Sequence, residues 1–85
     1  MATAKRPNTK IERFVIEKVK KLRKEKGLSQ KDLAIRLNVS SGFIGDVENK
    51  KYRAKYNLTH INELAKIFEC SPRDFFPNFA FKSNR

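Results

Sequence analysis

The chain has 85 residues and a formal net charge of +11, so it is long enough for one small domain and its partner is expected to be a polyanion. A basic helical protein could also lie on an acidic membrane surface, but no apolar run is long enough to span a bilayer. One cysteine and one histidine provide no zinc cluster, no internal disulfide and no nucleophile–base set, so we expect no cofactor and no enzyme.

Residues 1–9 are small, polar and basic, and they predict a flexible N-terminal arm rather than a secretory signal. Two uses of this arm remain open. It is either a solvated tail or a segment that lies along the backbone or in a groove of DNA. The single cysteine, Cys70, cannot form an internal disulfide and suits a reducing cytosol, so we expect a cytoplasmic protein.

The first predicted helix covers residues 10–26. Thr9 and Glu12 have the spacing of a capping box, and Gly27 is the kind of residue that ends a helix. The predicted core-facing stripe consists of Ile11, Val15, Val19 and Leu22. The other faces are rich in lysine, which either keeps the protein soluble or attracts phosphates; the excess of lysine over glutamate favours phosphates.

Residues 28–49 predict two short helices joined by a tight turn. Ser29 caps the first helix with Asp32 as its capping-box partner, Asn38 ends it in a left-handed conformation, and Ser40 caps the second. Helices this short need packing partners before and after them in the chain. This arrangement is typical of a helix-turn-helix, in which the second helix enters the major groove of DNA.

The second helix of this pair would bury Ile44 and Val47. Ser40 and the first backbone amides of the helix can donate to a phosphate. Phe43 either contacts a thymine methyl group or packs against its own domain.

Residues 50–57 form a basic loop after this helix, in which cations alternate with Tyr52 and Tyr56. We expect the cations to lie over a phosphate backbone and to carry no base information. For Tyr56, packing against the next helix is the favoured role. The cations are Lys50, Lys51, Arg53 and Lys55.

The fourth predicted helix covers residues 58–68, with Asn57 as its cap. Its predicted core face consists of Leu58, Ile61, Leu64, Ala65 and Phe68. His60 lies off this stripe and is expected to be exposed without a specific role. Cys70 is expected to act as a small buried hydrophobe.

A short fifth helix is predicted from Ser71, Pro72 and Asp74, and Pro77 stops it. Several phenylalanines follow close together. They either fold back onto the small core or form a patch that a second subunit covers. The candidates for such a dimer interface are Phe76, Phe79 and Phe81. Residues 10–77 would form the domain, and residues 78–85 its C-terminal tail.

Residues 11–77 resemble the phage repressor and Cro-type helix-turn-helix family, also called the xenobiotic-response-element family. The specific string is G-L-S-Q, then L-A, V-S, I and E-N, between residues 27 and 49. The resemblance implies a compact, all-α, five-helix fold similar to the lambda repressor. It also implies a homodimeric transcriptional regulator, a repressor or autoregulator, that binds a two-fold site on double-stranded DNA.

The resemblance further implies residue roles. Arg23 and Glu48 would form a buried ion pair with a structural role, Gln30 would contact a phosphate or fix a base-reading side chain, and Asn49 would contact the DNA backbone. The family's base-reading positions are Ser41, Gly42, Gly45 and Asp46 in this chain. Glycines at two of these positions and an aspartate at a third depart from the family pattern.

Two other functions remain open at this point. The same fold can serve as a protein-interaction adaptor that uses the phenylalanine-rich end and binds DNA weakly. Within the DNA-binding class, the chain could be an antitoxin or a restriction-modification controller. Nothing in the sequence points to a small-molecule ligand.

Overall fold

The computed structural model describes residues 8–84 of the chain. Within these residues four α-helices follow one another, and one 3-10 turn, Pro72–Phe75, comes after the last. The described residues contain no strand. The helices are α1 (Lys10–Glu25), α2 (Gln30–Leu37), α3 (Ser41–Glu48) and α4 (Leu58–Phe68).

The predicted N-caps of α1, α2 and α3 are confirmed, and α1 ends at Glu25, one residue before its predicted end. Such caps depend on side chains close in sequence, so local chemistry determines them. Capping boxes are present at Thr9 and Ser29, and the hydroxyl of Ser40 accepts the amide of Phe43 at the start of α3. Asn38 ends α2 with a φ of 62°. A left-handed residue at this point turns the chain sharply, so that α3 begins three residues later.

Within residues 8–84, the prediction of five helices is corrected to four α-helices and one 3-10 turn. Ser71 and Asp74 do form the predicted capping box. However, Pro72 at its start and Pro77 just beyond its end limit the length of the segment. The amide of Asp74 bonds to the carbonyl of Ser71, three residues earlier, as expected of a segment too short to nucleate an α-helix.

The core is one apolar cluster to which all four helices contribute, and Phe75 of the 3-10 turn is fully buried within it. The prediction of the core is wrong for two residues, because Ile11 is 42% exposed and Leu58 is 80% exposed. Both lie in the first turn of a helix, where side chains lean towards the helix N-terminus and past the edge of the core. Ile16, which the predicted stripe omitted, is buried instead.

The C-terminal tail folds back onto α1. The ring of Phe81 lies 6.2 Å from that of Phe14, and the amide of Lys10 donates to the carbonyl of Asn84 at 2.8 Å. Phe76 packs against the core, whereas Phe79 is 69% exposed.

Most of the predicted N-terminal arm, residues 1–7, lies outside the described residues, as does Arg85 at the end of the tail. Of the two arm residues that are described, Asn8 is buried and its side-chain amide donates to the carbonyl of Ala54. Thr9 caps α1. None of the described helices is sufficiently long and apolar to cross a bilayer.

Candidate nucleic-acid interface

The turn between α2 and α3 holds the two helices in a fixed relation. The amide of Val39 donates to the carbonyl of Ala34 at 2.9 Å, and the Val39 side chain packs against the core. On α3, Ile44 and Val47 are buried. This anchoring leaves the opposite side of α3 open to a ligand.

Four of the predicted DNA-contacting residues are exposed on that side, and Gly45 is partly exposed. At the start of α3 the backbone amides of Ser41 and Gly42 have no partner within the helix, as in every helix N-terminus, and they can donate to an anion. The four exposed residues are Ser41, Gly42, Asp46 and Asn49.

The predicted pairing of Arg23 with Glu48 is present and buried. The Nε and a terminal nitrogen of Arg23 each donate to a different oxygen of Glu48, both at 2.9 Å. The two residues are 7% and 8% exposed. This bidentate ion pair links α1 to the end of α3.

Gln30 joins this pair, in a contact that the sequence did not predict. Its side-chain nitrogen donates to Glu48 at 3.0 Å. Because a carboxylate only accepts, the amide must present its NH₂ group to Glu48. Gln30 therefore links the start of α2 to the end of α3.

Phe43 is half-buried and packs against its own domain, as one of its two predicted roles requires. Its ring lies 5.2 Å from that of His60 and 6.1 Å from that of Tyr56. Tyr56 is buried as predicted, and burial together with the nearby Glu48 carboxylate raises the pKa of its hydroxyl far above the usual range.

His60 has a structural role that the sequence analysis missed. Its Nδ1 accepts the backbone amide of Asn57, and the Asn57 side chain accepts the amide of His60, so the two residues form a capping box at the start of α4. The available signal was its position three residues after the cap, which usually carries Glu or Gln.

The cations of the basic loop are in two different states. Lys50, Lys51 and Arg53 are exposed. Lys55 is exposed as well, but it forms an ion pair with Glu12 of α1 at 2.9 Å. Partial burial raises the pKa of Glu12, but hydrogen bonds from Lys55 and Thr9 outweigh this and lower it overall, so the carboxylate is charged at neutral pH.

The sequence profile of the helix-turn-helix family matches residues 19–75, which is more than half of the chain and contains α2, α3 and α4. The chain belongs to the Cro/C1-type helix-turn-helix family. This helix-turn-helix protein is a DNA-binding transcriptional regulator.

Solved structures of regulators are similar to this helix-turn-helix protein. The restriction-modification controller protein C.AhdI from Aeromonas hydrophila is 32% identical, with 74% of this chain and 92% of that chain covered and a TM-score of 0.63. The wild-type restriction-modification controller protein C.Esp1396I is 29% identical, with 73% and 78% covered and a TM-score of 0.60.

SinR, a master regulator for biofilm formation whose structure is a complex with DNA, has 20% identity and a TM-score of 0.62. The alignment covers 72% of this chain and 95% of SinR. At this identity the likeness concerns the fold alone. A comparison with curated protein sequences found no match.

Proposed function

We propose that the protein is a sequence-specific regulator that inserts α3 into the major groove of double-stranded DNA. The observation that carries this proposal is the two-sided character of α3. One side is fixed in the core by Ile44 and Val47, and the other exposes polar and glycine positions to solvent. A short helix held in this way can enter a groove about 12 Å wide without losing its own support.

The residues proposed to contact phosphates flank this side of α3. Ser40 and the first amides of α3 lie at its start, and Asn49, Lys50, Lys51 and Arg53 follow its end. Contacts at both ends would fix how far and at what angle α3 enters the groove. Lys55 would have to leave its ion pair with Glu12 before it could contact a phosphate. Its contribution to DNA affinity is therefore expected to be smaller than that of Arg53.

Few side chains are left for reading bases. Ser41 can donate or accept, and Asp46 can only accept when ionised. Gly42 and Gly45 offer no side chain but let the DNA come close to the helix backbone. Part of the specificity is therefore expected to depend on the shape and deformability of the DNA.

A homodimer is the proposed active form, because one helix-turn-helix contacts only a few base pairs and two-fold symmetry doubles them. Of the three phenylalanines predicted for its interface, Phe79 is the most available. Phe76 and Phe81 contribute to the fold of the single chain, since they already pack on the core and on Phe14.

Sedimentation at high micromolar concentration, with and without DNA, tests the dimer. We expect a dimer for the wild type and a shift towards monomer for Phe79→Ser. A wild-type monomer under both conditions would contradict this part of the proposal.

Control of a restriction-modification system is a more specific candidate, favoured by the likeness to C.AhdI over nearly all of that chain. A controller that regulates its own gene is expected to bind the DNA directly upstream of that gene. Strong binding elsewhere in the host genome and none at that site would exclude autoregulation.

Selection from a library of random duplexes tests the main proposal. We expect enrichment of a two-fold symmetric sequence, and tighter binding to it than to random duplex at the same salt concentration. If no sequence is enriched and binding is weak and steeply salt-dependent, the adaptor function becomes the better account.

A further inference from the structure

The outer face of α1 and the C-terminal tail form a groove, called the aromatic groove below. We infer that it binds an acidic peptide segment of a partner protein, with a large apolar side chain of that segment placed between carboxylates. Such a partner goes beyond the proposed function, because it is a protein rather than DNA. The aromatic groove has a volume of about 450 Å³ and is lined by Phe14 and Phe81 together with the cations Lys10, Arg13, Lys18 and Lys21.

One stripe of α1 supplies most of this lining. Lys10, Phe14, Lys18 and Lys21 follow one another at spacings of 4, 4 and 3, so they share one face of the helix. The core packs against a different face, where Val19 is buried. A phenylalanine in the middle of a lysine stripe therefore contributes nothing to the core that the four helices share.

The tail covers Phe14 only in part. The ring of Phe81 lies 6.2 Å from that of Phe14 and is tilted by 60° to it. The bond from the amide of Lys10 to the carbonyl of Asn84 holds the tail in this place. Phe14 is still 39% exposed with the tail in position. Apolar ring surface is thus left for the side chain of a partner.

The positive charge of the aromatic groove is not neutralised within the described part of the chain. Lys10, Lys18 and Lys21 have no carboxylate within ion-pair distance there. Glu17 is the one acid in the lining, and it lies 3.8 Å from a terminal nitrogen of Arg13. Apolar surface between unpaired lysines is complementary to a segment in which acidic residues flank an apolar one.

Other occupants fit the aromatic groove less well. A second copy that docked groove to groove would oppose like charges. Single-stranded nucleic acid stacks its bases on open aromatic faces, but Phe14 and Phe81 are tilted by 60° and cover each other in part. A membrane is met by a protruding apolar face, whereas this apolar surface is recessed between cations. No residue of α2, α3 or the basic loop lines the groove, so it is not part of the proposed DNA interface.

Fluorescence anisotropy of a labelled synthetic peptide tests the inference on the full chain. The probe has about 15 residues and forms an amphipathic helix with phenylalanine and leucine on one side and glutamates beside them. Two companion peptides of the same length have lysine in place of every glutamate, or alanine in place of the phenylalanine and leucine. We expect the wild type to bind the probe and neither companion. Thermal melting first shows that each variant below folds.

Two double variants remove the same charge from different faces of α1. Lys18→Ala with Lys21→Ala changes the aromatic groove, whereas Lys20→Ala with Lys24→Ala changes lysines that do not line it. Each pair contains one half-buried and one exposed lysine. We expect the groove variant to bind the acidic probe about tenfold more weakly at about 0.1 M salt, and the control to lose less than about threefold.

Phe14→Ala tests the apolar part of the aromatic groove. The control is Ile35→Ala, which removes a 69% exposed apolar side chain from α2. We expect about a tenfold loss of affinity for the acidic probe in Phe14→Ala and no loss in the control. The affinity of Phe14→Ala for a DNA duplex should stay unchanged, because α3 and the basic loop are intact.

Three results would overturn the inference. They are no saturable binding of the acidic probe to the wild type below about 1 mM, equal losses in the two lysine variants, and full affinity in Phe14→Ala. A single-stranded oligonucleotide of mixed sequence and vesicles with anionic lipid are titrated in parallel. If either binds the wild type more tightly than the probe and loses that affinity in both groove variants, the groove serves nucleic acid or a membrane instead. A wild type without sequence preference on DNA overturns the regulator but not the peptide site.

Discussion

The inner and outer sides of α3 differ in how strongly their residues are constrained. On the inner side, Ile44 and Val47 are buried, and Glu48 accepts three hydrogen bonds from Arg23 and Gln30. On the outer side, Gly42 has no side chain, and Asp46 makes no ion pair within the described residues. The inner face of α3 therefore packs in the core and supports the fold, whereas the outer face is free to contact a ligand.

The largest effect on stability is expected from a substitution that removes the buried ion pair on the inner side of α3. Glu48→Ala would leave the Arg23 guanidinium buried without its partner, and we expect a loss of about 3 kcal/mol in the free energy of unfolding. Chemical denaturation measures it. The matched control is Glu63→Ala, which breaks the exposed pair with Lys66 and should cost less than about 0.5 kcal/mol. A loss below about 0.5 kcal/mol for Glu48→Ala would contradict the role of the buried pair.

Removing single positive charges from the basic loop tests whether the outer side of α3 faces DNA. We expect Arg53→Ala to weaken binding to every duplex about eightfold at 0.1 M salt and to lower the salt slope by about one unit, because it removes a phosphate contact. Lys55→Ala should lower the slope less, since Glu12 already neutralises this lysine.

Glu12→Gln is the control for the loop, because glutamine keeps the capping box while it releases Lys55. It should raise the slope. Losses for Arg53→Ala that differ between duplex sequences at constant salt would show that Arg53 reads bases.

Gly42→Ala and Gly45→Ala are expected to change the stability of the domain and its affinity for DNA in opposite directions. Alanine stabilises a helix interior by about 1 kcal/mol relative to glycine. A Cβ at these positions would approach other atoms no closer than 3.9 Å and 3.5 Å, so there is room for it. We therefore expect higher stability together with weaker DNA binding, because the added methyl group would hold the DNA away.

Gly27→Ala is the control for backbone conformation, since Gly27 has a φ of +71° that alanine rarely adopts. This variant should be less stable. Unchanged DNA affinity in both α3 variants would mean that the DNA backbone does not approach these glycines closely.

Asp46→Ala is expected to have the smallest effect. Its carboxylate has no ion-pair partner in the described part of the chain, so it should mainly repel the phosphates. We expect binding to every duplex to tighten about threefold, given screening by salt. Titrations on a selected site and its single-base variants measure it, with Glu63→Ala as the charge control on α4. A selective loss at one base pair would show instead that Asp46 accepts a hydrogen bond from a cytosine.

The sequence predicted most features that depend on neighbouring residues. Caps such as Thr9 with Glu12, and Ser29 with Asp32, involve positions three residues apart, so local chemistry determines them. Ile11 and Leu58 were assigned to the core wrongly, because periodicity indicates a face of a helix but not where the core ends along it.

The candidate site was less predictable than the fold. The bond between Gln30 and Glu48 joins residues 18 positions apart, and the pairing of Lys55 with Glu12 joins residues 43 apart. Neither contact has a local signal in the sequence.

The most direct test of the account is a map of the backbone amides that change when DNA binds. Amide resonances of the ¹⁵N-labelled protein are recorded with increasing amounts of a selected duplex. We expect the changes to concentrate on residues 40–53, with little change at Ile61 and Leu64 in the core. Changes confined to Phe79 and Phe81, or spread evenly over all exposed lysines, would contradict the insertion of α3 into the groove.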